Sequence, residues 1–164
     1  MQAVLDSWLS IRTDTAQAWL DMPAEDSGFR PADGLMSYRE LAVHIANSSR
    51  GIARMLMAGE LDFSAPGFRP RMHAHHLDLS GDGREALSDH LHQLLKEDTL
   101  ELARLDSDFY SRMMTRFDGT PVTRLEMLQY AKEHEITHRA QMFMYLRLKG
   151  IVPPTTRRRL AQNK

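Results

Sequence analysis

Apolar residues recur at helical spacing in four long segments of this chain, and stretches rich in proline, glycine and aspartate separate these segments. An amphipathic helix must bury its apolar face against another element of the fold. No segment shows the alternation of apolar and polar residues that is typical of a half-buried strand. We therefore predict an all-α fold, a four-helix bundle whose core is formed by the four apolar faces.

The ends of the first two predicted helices are well marked. The first helix is predicted over about residues 2–20, before a stretch that contains proline, glycine and several acidic residues. Ser37 followed by Glu40 forms a capping-box pattern, in which each side chain bonds the backbone N–H of the other residue. This pattern starts a second helix, predicted to end near Ala58. A long connection follows over residues 60–83, with two prolines and three glycines, and we predict irregular structure there.

The third and fourth helices carry similar signals. Asp82 with Glu85 offers another capping box, for a helix that would end near Asp106. The link after it is acidic and aromatic and could hold a hairpin or an extended strap. For the fourth helix, Thr120 as the cap and Pro121 at the first helical position predict the start. Its end is predicted at glycine 150, since two prolines follow shortly after.

Length, charge and composition limit the classes of protein to which the chain can belong. At 164 residues it fits one compact domain, since domains commonly contain about 100–200 residues. We place that domain at residues 1–152 and treat residues 153–164 as a basic C-terminal tail. No run approaches the roughly 18 consecutive apolar residues that span a bilayer, and acidic residues come too early for a secretory signal. We expect a cytoplasmic protein without membrane contact.

The basic C-terminal region permits two interpretations. Seven lysine and arginine residues and no acidic residue follow Glu135, although the formal net charge of the whole chain is only −1. Such a region could contact phosphate or nucleic acid. Cations also favour the carbonyl end of a helix, which needs no partner. We prefer the second interpretation and do not expect nucleic acid as a partner.

One segment of the fourth helix carries the strongest chemical pattern. His134, Glu135 and His138 match the H-E-x-x-H motif of zinc metalloproteases. Residues four apart lie on one face of a helix, so both histidines can share one ion while Glu135 flanks it as a general base. No His, Asp or Glu follows His138, however, and no strand is predicted that could align a peptide. We therefore do not favour a zincin-type metalloprotease.

A third histidine changes the interpretation of this pair. Alone, His134 and His138 could each be satisfied by a buried carboxylate or by water. His44 lies near the apolar stripe of the second helix and projects toward the same core. Cysteine is absent, so a metal ion must be held by His, Asp or Glu. We predict a divalent metal site formed by His44, His134 and His138, with coordination positions left open for water or substrate.

Other candidate residues are less specific. His73, His75 and His76 fall in the long connection, where an exposed polar loop is the simpler interpretation and a stray metal site is the alternative. Asp98 lies on the leucine stripe of the third helix. It could hydrogen-bond a ligand histidine or pair with an arginine in the core.

Two blocks of sequence resemble the DinB-like (DinB/YfiT) superfamily of metalloenzymes. One is FRPADGLMSYRELAVHI, residues 29–45; the other is HEITHRAQMFMYLRLKGIVPP, residues 134–154, in which an Arg and a Gln follow the two histidines. The resemblance implies an up-down-down-up bundle with the long connection between helices two and three, and a homodimer. It also implies a divalent ion, nickel, zinc or iron, bound by His44, His134 and His138. Glu135 does not belong to the ligand set of that family.

The resemblance also suggests a class of reaction. Some members are transferases or isomerases that use a low-molecular-weight thiol such as mycothiol, bacillithiol or glutathione. Our leading hypothesis is a metal-dependent enzyme that activates water or such a thiol and acts on a small-molecule substrate, as a thiol S-transferase or a hydrolase. The alternative is a non-catalytic binding module that responds to stress or to metal.

Overall fold

The computed structural model of the protein describes residues 1–162, and most of them are helical. The α-helices are α1 (Gln2–Asp21), α2 (Tyr38–Met57), α3 (Phe68–His73), α4 (Arg84–Leu102), α5 (Ser107–Ser111), α6 (Arg124–Leu148) and α7 (Pro154–Gln162). A short 3-10 helix spans Ala24–Asp26. Strands β1 (Met113–Thr115) and β2 (Pro121–Thr123) form one antiparallel hairpin. The prediction of a mainly helical fold is confirmed, and of the two alternatives for the link after the third predicted helix the hairpin is confirmed. The last two residues of the predicted basic tail, 163 and 164, lie outside the described residues.

The four long helices α1, α2, α4 and α6 enclose the core. Helices α1 and α2 each pack against both α4 and α6, so all four share one interior. The core has two halves: one contains Trp8, Leu56, Leu95 and Leu128, and the other contains Trp19, Tyr38, Leu91 and Leu146. No helix within residues 1–162 is long and apolar enough to cross a membrane.

The start of α2 follows the predicted capping box. The Ser37 side chain accepts a hydrogen bond from the Glu40 N–H, at 3.2 Å, and the Glu40 carboxylate accepts one from the Ser37 N–H, at 2.6 Å. Helix α2 ends at Met57, as predicted to within one residue. The rotation of His44 about the axis of α2 follows from the burial of its neighbours Leu41, Ile45 and Ser48.

The predicted start of the last long helix was wrong. Thr120 is not a helix cap, because Pro121 lies in β2, opposite Thr115. Three residues later Thr123 and Glu126 form the actual capping box, with bonds of 3.2 Å and 2.7 Å between each side chain and the other residue's N–H. Pairing of the hairpin therefore extends the backbone through Thr123 and delays the helix by one turn.

The bounds of α4 also differ from the prediction. Its N-cap is Gly83, which has no side chain, so the predicted capping box of Asp82 and Glu85 was wrong. The Asp82 carboxylate contacts His90 Nδ1 at 2.6 Å. The helix ends at Leu102 rather than near Asp106. Asp106 instead caps the separate helix α5 by accepting a hydrogen bond from the Phe109 N–H.

The long connection contains a short helix that packs against α2. Phe68 and Met72 of α3 are buried, and Phe68 stacks on Phe63 with ring centroids 4.2 Å apart. Gly51 of α2 permits this close approach, since a Cβ atom there would lie 2.7 Å from Cγ of Met72. The connection is therefore partly ordered as a helix, where irregular structure was predicted.

The basic C-terminal residues that the structure describes form α7 and contact α1. Arg158 makes two hydrogen bonds to the Asp14 carboxylate, at 2.6 Å and 3.1 Å. Arg157 pairs with Asp21 at 3.0 Å. Acidic groups of the first helix thus partly neutralise this basic segment.

Candidate metal centre

The structure brings the three predicted histidines together. His134 Nε2 lies 3.3 Å from His44 Nε2 and 3.2 Å from His138 Nε2. One ring nitrogen from each of the three lies within 4.8 Å of the other two. Two of these side chains stack on one face of α6, and the third comes from α2, which packs against that face.

The donor set fits a divalent ion. Two nitrogens bound to one ion at about 2.1 Å, with an angle of about 90–110° between them, lie about 3.0–3.4 Å apart, and the distances of 3.3 Å and 3.2 Å in the structure fall in this range. Without a cation, His134 Nε2 faces two other ring nitrogens and can donate a proton to only one of them. A shared cation satisfies all three nitrogens at once.

Burial keeps two of these imidazoles in the neutral form that a metal ligand requires. Burial, together with the neighbouring His138, His134 and His76, lowers the pKa of His44 to about 4. Burial also lowers the pKa of His134, helped by His138 and opposed by Glu135. At neutral pH both rings therefore offer free lone pairs.

Hydrogen bonds orient two of the rings. His138 Nδ1 lies 2.9 Å from Gln141 Oε1, and since that oxygen only accepts, Nδ1 carries the proton and Nε2 is left free to face the cluster. Ser48 Oγ lies 3.3 Å from the His44 ring. Sequence reasoning assigned no role to Gln141, although its position three residues after His138 on the same helix could have indicated the contact.

A family model described as the DinB family matches residues 1–163. The chain belongs to the DinB family. The uncharacterized protein YjoA of Bacillus subtilis (strain 168) is 26% identical to it over 147 residues, which cover 90% of this chain and 89% of YjoA.

Solved structures show the same fold. The crystal structure of the DinB-like protein YjoA from Bacillus subtilis has a TM-score of 0.68 at 24% identity, covering 90% of this chain and 92% of that one. A protein from Exiguobacterium sibiricum 255-15 assigned to the DinB family has a TM-score of 0.67 at 25% identity and covers 91% of both chains. Mycothiol-dependent maleylpyruvate isomerase has a TM-score of 0.59 at 15% identity, over 84% of this chain and 60% of the isomerase.

Glu135 of this DinB-family protein faces away from the histidines. Its carboxylate accepts hydrogen bonds from Trp8 Nε1 at 2.6 Å, from Thr15 Oγ1 at 2.9 Å, and from Arg12 at 2.8 Å and 2.9 Å. Arg12 also donates to Ser49 of α2 and to the Leu91 carbonyl of α4, so this buried polar cluster joins all four long helices. With both oxygens engaged there, Glu135 cannot act as the general base that the zincin motif requires.

The remaining candidates lie outside the cluster. Asp98 is buried and pairs with Arg54 at 2.6 Å, so its partner is an arginine rather than a ligand histidine. His73 and His76 pack ring against ring, with centroids 4.7 Å apart, and His75 is half-buried. None of these three loop histidines belongs to the three-histidine group.

Two cavities reach the histidine cluster. A cavity of about 220 Å³ opens on His44 and His134, and its other walls are Ser48, Ile52, Arg69, Met72, Phe117 and Tyr130. A second cavity, of about 510 Å³, also reaches His44 and is lined by Arg39, Glu40, Val43, Asn47, His76 and Ser80. A small molecule can therefore approach the ring nitrogens from solvent.

Proposed function

We propose that this DinB-family protein is a metal-dependent enzyme whose divalent ion, nickel, zinc or iron, is held by His44, His134 and His138. The observation that carries the proposal is the convergence of three Nε2 atoms, two pairs of them 3.2 Å and 3.3 Å apart, where two of the three histidines line an open cavity. We further propose that α1, α2, α4 and α6 form an up-down-down-up four-helix bundle, with residues 1–152 as its domain and residues 153–164 as an appended tail.

The reaction we propose is the activation of water or of a low-molecular-weight thiol for hydrolysis or S-transfer. A bound divalent ion lowers the pKa of a water or thiol that it binds. Three neutral ligands leave the full double charge of the ion in place and leave coordination positions free. The likeness in fold to a mycothiol-dependent isomerase supports the thiol alternative.

The protein residues around the ion would orient the reactants and limit access of water. Gln141 holds the His138 ring in the tautomer that binds metal, and Ser48 lies beside the His44 ring. Ile52, Met72 and Phe117 line the approach with apolar surface. A nucleophile in this cavity would meet few competing water molecules, which strengthens the electrostatic interactions at the reacting atoms.

Single replacements of the three histidines test the proposal. His44→Ala, His134→Ala and His138→Ala are each expected to lower the metal content of untagged protein, measured by elemental analysis. They should also abolish thiol-dependent release of chloride from 1-chloro-2,4-dinitrobenzene, with glutathione, mycothiol or bacillithiol, or hydrolysis of 4-nitrophenyl acetate. His90→Ala is the matched control, because His90 lies on the surface of α4 and contacts Asp82.

Two results would contradict this function. If the wild-type protein binds no divalent ion with a stoichiometry near one, the site does not hold a metal. If the ion binds but neither activity is present, and a partner interaction survives its removal, the protein is a non-catalytic binding module. We also propose a cytoplasmic homodimer, and light scattering after gel filtration tests its oligomeric state.

A further inference from the structure

Arg69 lines the cavity beside the histidine cluster and has no counterion among the residues that the structure describes. Among residues 1–162 it makes no ion pair, hydrogen bond or cation–π contact, although it lines the 220 Å³ cavity together with His44 and His134. Its neighbour on α3, Arg71, pairs with Glu60 at 2.7 Å. The same six-residue helix thus carries one neutralised arginine and one that is free.

The position of Arg69 is fixed by its neighbours. Two buried side chains hold α3 in place: Phe68 stacks on the ring of Phe63, and Met72 packs against Gly51 of α2. Since these anchors flank Arg69 in sequence, its backbone is held at the rim of the cavity while its side chain stays exposed to solvent. A guanidinium presented in this way can make two parallel hydrogen bonds to an oxyanion.

The charge of the cavity favours an anion. No aspartate or glutamate within the described part of the chain lines it, so Arg69 contributes an uncompensated positive charge. Any ion held by the three histidines would add to that charge. A cleft that has low-dielectric walls and carries charges of one sign raises the local concentration of ligands with the opposite charge.

Apart from Ser48, the rest of the cavity wall is apolar or aromatic. Phe117 packs against Phe63 and Phe68, with centroids 5.3 Å and 5.5 Å away, and lies 6.1 Å from Tyr130. The volume of about 220 Å³ is below the roughly 300–1,000 Å³ of pockets for drug-sized ligands. The cavity therefore has room for a small molecule with an apolar or aromatic body.

We propose that this cavity is a substrate subsite for small organic carboxylates, in which Arg69 binds the carboxylate and the apolar body lies against Phe117 and Tyr130. The other end of the molecule then faces His44 and His134. The identification as a substrate subsite rests on the metal-dependent function proposed above, whereas the binding of the carboxylate rests on Arg69 and the cavity walls alone.

Ligand-observed ¹⁹F NMR with 4-fluorobenzoate and its neutral analogue 4-fluorobenzamide tests this proposal on zinc-loaded protein. Arg69→Gln is expected to weaken 4-fluorobenzoate about tenfold or more, since hydrogen bonds to charged groups contribute that much. The amide should bind more weakly to the wild type and should be unaffected by the replacement. Arg71→Gln is the matched control, because it removes the same charge from the same helix at an arginine that is already paired. Circular dichroism and zinc content confirm that the variants are folded and loaded.

Several outcomes overturn the proposal. These are no benzoate binding by the wild type at millimolar concentration, equal weakening by Arg69→Gln and Arg71→Gln, and equal affinity for acid and amide. A fourth is benzoate affinity that Arg69→Gln leaves unchanged and that His138→Ala abolishes together with the metal. The carboxylate would then bind the ion itself. Arg69-dependent binding in a protein that takes up no metal would support the binding of carboxylates by Arg69 and contradict the metal-dependent function.

Discussion

Replacing Glu135 by glutamine is expected to destabilise the protein rather than to remove a catalytic base. The H-E-x-x-H motif taken alone predicts the reverse, a stable and inactive enzyme. In the structure the Glu135 side chain is 1% exposed and accepts four hydrogen bonds, two of them from the fully buried guanidinium of Arg12. The two interpretations therefore predict different free energies of unfolding for Glu135→Gln.

The size of the loss in stability follows from the positive charge of Arg12, which remains buried after the replacement. In Glu135→Gln, Arg12 keeps its bonds to Ser49 and to the Leu91 carbonyl but loses its counterion. The amide NH₂ of the glutamine must also face a donor, because each carboxylate oxygen accepts from an Arg12 N–H, which can only donate. Removing one partner of a buried ion pair costs about 3–5 kcal/mol, and we expect the free energy of unfolding to fall by about that amount.

Urea denaturation followed by far-ultraviolet circular dichroism measures this change. Glu133→Gln is the control, since Glu133 is exposed on the same helix and should change the stability by no more than about 0.5 kcal/mol. The double variant Arg12→Met/Glu135→Leu should recover part of the loss, because it leaves no unpaired charge in the core. A Glu135→Gln protein that unfolds at the same urea concentration as the wild type, but has lost hydrolytic activity, would refute our reasoning.

Three further predictions concern the helix cap, a buried acid and the support of the site. Thr123→Ala should lower the free energy of unfolding by about 1 kcal/mol, whereas Thr120→Ala should change it by less than about 0.5 kcal/mol, both measured by urea denaturation; equal effects would contradict the observed start of α6. Burial raises the pKa of Asp98 to about 6 despite the opposing charges of Arg54 and Arg50. The folded protein thus keeps a proton that the unfolded chain releases, so the free energy of unfolding should fall by at most roughly 3 kcal/mol as the pH rises from about 4 to 6. Asp98→Asn should remove this pH dependence, and an unchanged pH profile in the variant would contradict the prediction. Gln141→Ala should weaken metal binding about tenfold in calorimetry without changing the thermal midpoint of the metal-free protein, and an unaltered affinity would show that Gln141 does not orient His138.

The histidine cluster could be predicted from sequence because the spacing of residues within single helices indicates which way each histidine faces. Helical spacing places His134 and His138 on one face of α6. The buried residues Leu41 and Ile45 of α2 turn the face that carries His44 toward the core. The family resemblance named the same three residues, and the family model confirms membership in that family.

The wrong predictions have a common physical cause. Where the local sequence permits two structures, contacts with residues distant in the chain decide which one forms. Thr120 and Thr123 both satisfy the local rules for a helix cap, and the pairing of Pro121 with Thr115 decides between them. The orientation of Glu135 depends on Arg12, 123 residues earlier in the chain. Arg69 carried no signal, because α3 is too short to show a periodic pattern and is held by packing against α2.

The Arg12–Glu135 pair also constrains how the protein can be made. During synthesis, Arg12 leaves the ribosome long before Glu135 is added to the chain, so the nascent protein has to keep that guanidinium hydrated. Dehydration of the interior around it must wait for α6, and α6 is also the helix that brings two of the three histidines. A prematurely terminated product would thus lack both a closed interior and two of the three imidazoles proposed to bind the ion.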